Sequence, residues 1–208
     1  MTARNILDYW FGELKDGWVT TDRHALWFGS RAEDDADMRA KFGDMIRQVL
    51  DGELESWRET PEGLMAYILL SDQMTRAIFR GTAEAFSGDK LALSACLSAM
   101  ESGMDLQLPP AHSRFFYLPL EHSEDMENQA RCVSAFEEMQ TRFPSRREEF
   151  VASVHYAREH LEIIRQFGRF PHRNAILNRE SSAEERRFLE EGGPTFGQSA
   201  AAREESQN

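Results

Sequence analysis

The chain has 208 residues and a formal net charge of −12, with 41% of its residues hydrophobic and 29% charged. That length can bury one sizeable core without disulfides, and the composition is that of a globular protein rather than a disordered one. The acidic balance repels polyanions, which argues against nonspecific nucleic-acid binding and against attachment to anionic membranes.

The only cysteines, Cys96 and Cys132, have neither zinc-ligand spacing nor the density of a disulfide framework, and both read as small buried hydrophobes. Met1 to Trp10 lacks the basic and apolar regions of a secretory signal. The longest apolar run, Leu64 to Leu70, falls well short of the roughly 20 residues that a membrane helix needs. These features predict a cytoplasmic protein that does not enter a membrane.

In chain order, helices are predicted near Asn5 to Phe11, Asp22 to Phe28 and Asp35 to Leu54, the last ending beside the Asp51-Gly52 break. Thr60 suits an N-cap and Pro61 a first helical position, so the apolar run after them should be helical. Another helix is expected over Lys90 to Ser102, before Leu108-Pro109-Pro110 interrupts the pattern. Ser123 can cap a helix whose inner face carries Met126, Ala130, Val133, Phe136 and Phe143. Ser145-Arg146-Arg147-Glu148 reads as a capping box ahead of a stripe of Phe150, Val154, Ala157, Leu161 and Ile164. Ser182-Ala183-Glu184-Glu185 opens a last short helix.

No segment alternates apolar and polar residues with the period of a strand. An all-α chain with short connections should pack its helices as antiparallel pairs, in a compact bundle or a stack. Residues 1–191 are expected to form one helical domain. From Gly192 onward Gly, Ser, Ala and Glu dominate without an apolar stripe, which predicts a disordered tail over 192–208.

Of the 24 basic residues, only Lys15, Lys41 and Lys90 are lysine. Three arginine-bearing windows contain no carboxylate: Gln73 to Ala83 with Arg76 and Arg80, Leu106 to Leu120 with His112 and Arg114, and Ile163 to Arg179 with Arg165, Arg169, Arg173 and Arg179. A buried guanidinium is costly unless paired, so these windows need acids from elsewhere in the fold or from a ligand. Asp72 lies one helical turn before Arg76 and can hold it in place. Gln129 and His160 fall on otherwise apolar helix faces and also need partners.

These features predict an Arg/aromatic cleft for an anionic ligand, built from Asp72, Gln73, Arg76, Arg80, Arg114, Tyr117, Gln129, Arg169, Phe170 and Arg173. The ligand would be an acidic peptide or protein, or a small carboxylate or phosphate. Glu121, His122, His160 and His172 are the candidates for acid–base catalysis, should the site be an enzyme's, although neighbours such as Glu121, His122 and Glu124 cannot converge on one atom without a helix break. A third reading leaves the polar residues as helix-to-helix braces. No metal site is expected, because His155 and His160 are five positions apart and no H-E-x-x-H pair occurs. No dinucleotide fingerprint or phosphate loop is present either, so no cofactor is expected.

The segments Leu7-Asp8-Tyr9-Trp10-Phe11-Gly12, Ser71 to Gly81 (SDQMTRAIFRG), Phe116 to Glu124 (FYLPLEHSE) and Phe167 to Asn174 (FGRFPHRN) resemble the bacterial family known as domain of unknown function 924. The resemblance runs from about Asn5 to Leu189 and implies an all-helical, tetratricopeptide-like fold. It departs at Met74 and Thr75, where the family pattern has an aromatic residue and a proline. It implies no activity and no catalytic residues.

Overall fold

The computed structural model describes residues 1–29 and 31–198. Helix α1 (Ala3–Phe11) starts at a Thr2/Asn5 capping box and buries Ile6, Leu7, Trp10 and Phe11. Those positions recur with the helical period, so they form one continuous apolar face. The chain leaves α1 through Gly12, at φ 67°, and enters a small hairpin of β1 (Leu14–Lys15) and β2 (Trp18–Val19).

This hairpin corrects the expectation of a strand-free chain. Asp16 (φ 52°) and Gly17 (φ 83°) both have the positive φ of a type I′ turn, the turn that Asp-Gly favours. The strands are too short for alternation to register.

Helices α2 (His24–Phe28) and α3 (Ala32–Leu50) follow. Helix α4 (Pro61–Ile68) begins as predicted: the Thr60 hydroxyl accepts from the Gly63 amide at 3.2 Å. From Gly63 to Ile68 every residue of α4 is buried, because α1, α6 (Asp89–Ser102) and α7 (Pro110–Phe116) pack around it. The rod continues as a π-helical turn, Leu69–Met74, and a last turn, α5 (Thr75–Ile78).

Helices α8 (Leu118–Glu121), α9 (Met126–Arg142), α10 (Val151–Phe167) and α11 (Ala183–Glu190) complete the described chain. One hydrophobic core runs from Ile6 to Ala157. A second, small cluster gathers Ile163, Ile164 and Phe170 under Phe167, Phe188 and Phe196.

Two predicted caps move. Helix α9 is capped by the Asp125 carboxylate on the Asn128 amide (2.9 Å), while the Ser123 hydroxyl takes the Asn128 side chain instead (3.1 Å). Ser145 caps nothing, because Pro144–Phe150 is a 3-10 segment with a non-helical Arg146, and the regular α10 begins at Val151. Here Phe143, Phe150 and Trp18 pack ring against ring, and aromatic burial outweighs a cap worth about 1 kcal/mol.

Of the predicted disordered tail, residues 199–208 lie outside the described residues, whereas 193–198 return to the domain. Phe196 packs against the small cluster and Gln198 is buried. The one aromatic ring in a Gly/Ser-rich stretch supplies enough apolar surface to hold the segment down.

Candidate functional site

The π-helical turn sets the site. Each residue added to a helical turn displaces the ladder, and such turns recur at functional positions. Here the Ser71 hydroxyl donates to the Tyr67 carbonyl (2.7 Å) and the Thr75 hydroxyl to the Ser71 carbonyl (2.9 Å). Gly88 crosses so near this turn that a Cβ would lie 2.0 Å from the Ser71 carbonyl oxygen. Only glycine permits that approach, and it delivers the next residue, Asp89, beside the turn.

Fully buried Asp72 is the hub. Its Oδ1 lies 3.0 Å from Arg76 Nη1 and 2.8 Å from His122 Nδ1, and its Oδ2 accepts from the Gln73 amide at 2.5 Å. Burial alone would raise the Asp72 carboxyl, but Arg76 and His122 hold it below the usual carboxylate range. Arg76 Nη1 also meets Asp89 Oδ1 at 2.8 Å. Arg173, from the turn after α10, reaches Asp89 Oδ2 at 3.5 Å. Its guanidinium lies over the rings of Phe170 and Phe86, 4.4 and 4.8 Å from their centroids. Burial and the nearby Arg76 charge pull Arg173 down to about 10, which leaves it cationic at neutral pH.

The third side holds acid–base groups kept neutral. Burial first, then the Asp72 and Glu159 charges, push Glu121 up to about 8. Its nearest basic atom is His160 Nδ1, 3.7 Å away. That nitrogen faces the Tyr156 carbonyl at 2.8 Å; a carbonyl only accepts, so Nδ1 carries the proton. Burial, and then the neighbouring His122, lower His160 far below its ordinary value. His122 is lowered by burial and by Arg76, against the opposing pull of Asp72. Donation from its Nδ1 to Asp72 leaves Nε2 as an acceptor, on a side chain 15% exposed. His172 is drawn down to about 3 by burial and by Arg173.

A clamp carries the loop that presents His172 and Arg173. Gly168, at φ 69°, ends α10. Glu124 then accepts from the Phe170 amide (2.8 Å) and grips Arg179 with both oxygens (2.7 and 2.9 Å), while Arg179 donates to the Phe170 carbonyl and to Asn174. Below, the Gln129 amide closes α8 by donating to the Glu121 carbonyl at 2.5 Å. This break turns Glu121 toward His160 and His122 toward Asp72.

Of the residues singled out by sequence, Asp72, Gln73, Arg76, Glu121, His122, His160, Phe170, His172 and Arg173 therefore come together, with Gln129 supporting them from beneath. Four do not join. Arg80 is engaged with Asp35 (3.0 Å), Tyr117 donates to Asp105 (2.9 Å), Arg169 is held by Glu185 (2.6 Å), and Arg114 rests on Trp27 and Phe28. Three of them find an acid outside their own window, whereas Arg114 is held by rings. Sequence reasoning missed Asp89, Phe86, Phe196 and Gln198. Gly88 before Asp89 was the one available signal.

A family model described as "Bacterial protein of unknown function (DUF924)" matches residues 6–193. The chain belongs to the DUF924 family. The structure of a protein of unknown function, ATU0120 from Agrobacterium tumefaciens, is similar at 37% identity and a TM-score of 0.76, covering 91% of this chain and 97% of that one. No curated protein matches the chain. Within the DUF924 match lie Asp72, Arg76, Asp89, Glu121, His122, His160, His172 and Arg173, whereas Phe196 and Gln198 fall beyond it. Among the described residues no trio of His, Cys, Asp or Glu is disposed to hold a metal ion, and no helix is long and apolar enough to cross a membrane.

Proposed function

We propose that the protein binds a small anion, a carboxylate or phosphate, between Arg76 and Arg173. The observation that carries this reading is a set of buried polar atoms around Asp89 which have no hydrogen-bond partner among the described residues: the donors Arg76 Nη2 and Arg173 Nε, with Asp89 Oδ1, Glu121 Oε2 and His172 Nδ1 beside them. Buried donors are nearly always satisfied, so a cluster of unsatisfied ones marks the place of a missing acceptor. Two of the five belong to guanidinium groups, which favour an anionic acceptor. Arg76 and Arg173 are 8% and 6% exposed, and this enclosure favours a small molecule or a single carboxylate over a long acidic peptide.

A binding protein is tested by calorimetric titration of inorganic phosphate and acetate at low ionic strength. Saturable binding of at least one anion is expected, lost in Arg173→Gln while the variant remains folded. Binding that Arg173→Gln leaves intact would place the anion elsewhere. A native-state ligand at a hundred times its Kd should also stabilise the fold by about 2.7 kcal/mol.

The hydrogen bond from His122 to Asp72 favours a second reading, an enzyme. An oriented imidazole with an accepting Nε2, close to a carboxylic acid that is neutral at pH 7, forms a base and acid pair suited to proton transfer or to activation of water. Turnover of a bound anion that Glu121→Gln abolishes without weakening binding would decide for it.

The remaining features are consistent with a reducing cytoplasm, as the two cysteines are unpaired and buried. The packing of α9 on α10 supports a tetratricopeptide-like stacking of neighbouring helices.

A further inference from the structure

Residues 196–198 pack against the site through four contacts, three with its own residues and one with Arg80. The Phe196 ring stacks on His160, with centroids 3.7 Å apart and planes at 21°. It meets His172 edge-on at 5.7 Å and 72°. Gln198 donates from Nε2 to the Arg76 carbonyl at 3.1 Å, and Arg80 Nη1 donates to the Gly197 carbonyl at 3.4 Å.

These contacts hold a conformation that is unfavourable in itself. Phe196 has φ 49°, in the left-handed region that bulky residues avoid. A strained residue of this kind persists only where its surroundings compensate. The compensation here is the ring slot formed by His160, Phe170 and His172, which are buried and lie within the family match, as Phe196 does not.

The segment satisfies only half of what surrounds it. It fills the apolar slot, but Arg76 Nη2, Arg173 Nε and His172 Nδ1 stay unsatisfied and Gln198 adds its own buried, unpartnered Oε1. The slot walls also select the kind of occupant. His160 presents a ring face and His172 a ring edge to the occupant, a geometry that suits a flat aromatic group.

We infer that the slot between His160 and His172 is a binding subsite for a planar aromatic group on an anionic ligand, and that segment 194–198 occupies it as a built-in pseudo-ligand. This rests on the anion site proposed above. An aryl phosphate or aryl carboxylate would place its ring where Phe196 now lies and its charge near Arg76 and Arg173. It would satisfy donors that the segment leaves bare, and the segment must swing out to admit it.

The test is calorimetric titration of inorganic phosphate, phenyl phosphate and cyclohexyl phosphate into the full-length wild type, Phe196→Ala and Gln198→Ala. Phe196→Ala should bind phenyl phosphate tenfold or more tighter than wild type, and at least fivefold tighter than cyclohexyl phosphate. Gln198→Ala, which frees the segment without altering its ring, should show a smaller gain in the same direction. If both variants bind inorganic phosphate through Arg173 but phenyl phosphate no better than inorganic phosphate, the ring subsite is refuted while the anion site stands. Equal affinity of wild type and both variants for phenyl phosphate refutes the pseudo-ligand. If none of the three compounds binds any of the proteins, the anion site falls, and the ring subsite with it. A Phe196→Ala variant that fails to fold leaves Gln198→Ala to decide by the same criteria.

Discussion

Around Phe115, a histidine and an arginine from one sequence window are absorbed by rings. His112 stacks on Phe11 at 4.3 Å, and Arg114 lies 5.8 Å from the Trp27 centroid and 5.4 Å from that of Phe28. Among the described residues no carboxylate bonds either one, and burial followed by the Arg4 charge brings His112 down to about 4. Around Asp72 the same residue types are interlocked with acids. Arg76 is shared by Asp72 and Asp89, His122 is bonded to Asp72, and Glu121 is held uncharged. The first region buries basic groups as packing material, with the long side chains covering apolar surface. His112 Nδ1 is also buried without a partner among the described residues, so what sets the second region apart is its interlocked charge: two guanidiniums, of Arg76 and Arg173, packed with the carboxyl groups of Asp72, Asp89 and Glu121.

The surface cavities fit this contrast. One of about 250 Å³ lies over Phe11 and His112, and another of about 330 Å³ along Phe79 and Arg80. Neither of these two is lined by residues of the Asp72 cluster. Groups with strongly perturbed ionisation mark a candidate functional site on grounds other than open volume.

The sharpest way to break the comparison is to remove one charge from each region. Asp72→Ala leaves Arg76 buried with one acid fewer, and urea denaturation should show a loss of about 3–5 kcal/mol together with loss of anion binding. Arg114→Ala forfeits only ring contacts, so about 1 kcal/mol should go and binding should stay. A loss as large as that of Asp72→Ala would mean that the two regions are energetically alike.

The pH dependence sharpens it further. Glu121 has a folded value near 8 against an ordinary 4.5, so the folded state holds the extra proton between those values. Its contribution is fully present below pH 4.5 and is lost as pH rises through 8. Glu121→Gln should therefore flatten the decline of stability across that window. On the acid side, His172 is neutral in the fold down to about 3. Stability should fall as pH drops below 6.5, and His172→Phe should blunt that fall. Arg169→Ala should matter less than Asp72→Ala: Arg169 is one-third exposed, and buried Glu185 keeps its bond from the Ser182 amide, so the melting temperature should fall by less than it does in Asp72→Ala.

The fold was legible wherever local chemistry and packing agree. Thr60-Pro61, the stretch Asn5 to Phe11 and the start at Ser182-Ala183-Glu184-Glu185 each became the helix they predicted. Ser145 failed because the rings of Phe143, Phe150 and Trp18 decide that corner, and Trp18 comes to it from the far end of the sequence. The site was half legible. Asp72 and Arg76 share a helix face, so their pairing could be read from spacing. That Arg173 joins them through Asp89 could not, because the meeting depends on how near Gly88 comes to the Ser71 carbonyl. For the same reason Arg114 and Arg169 could not be told from Arg173 by sequence, since only tertiary packing supplies rings to one, Glu185 to another and unsatisfied donors to the third.

The central claim is that the unsatisfied donors beside Asp72 are the seat of an anionic ligand. A crystal structure of the protein grown with saturating phenyl phosphate tests it most directly. The phosphate is expected within hydrogen-bond distance of both Arg76 Nη2 and Arg173 Nε, with the phenyl ring stacked on His160 and Phe196 displaced. Phenyl phosphate bound elsewhere, with Phe196 still on His160 and only water beside the two guanidiniums, would contradict it.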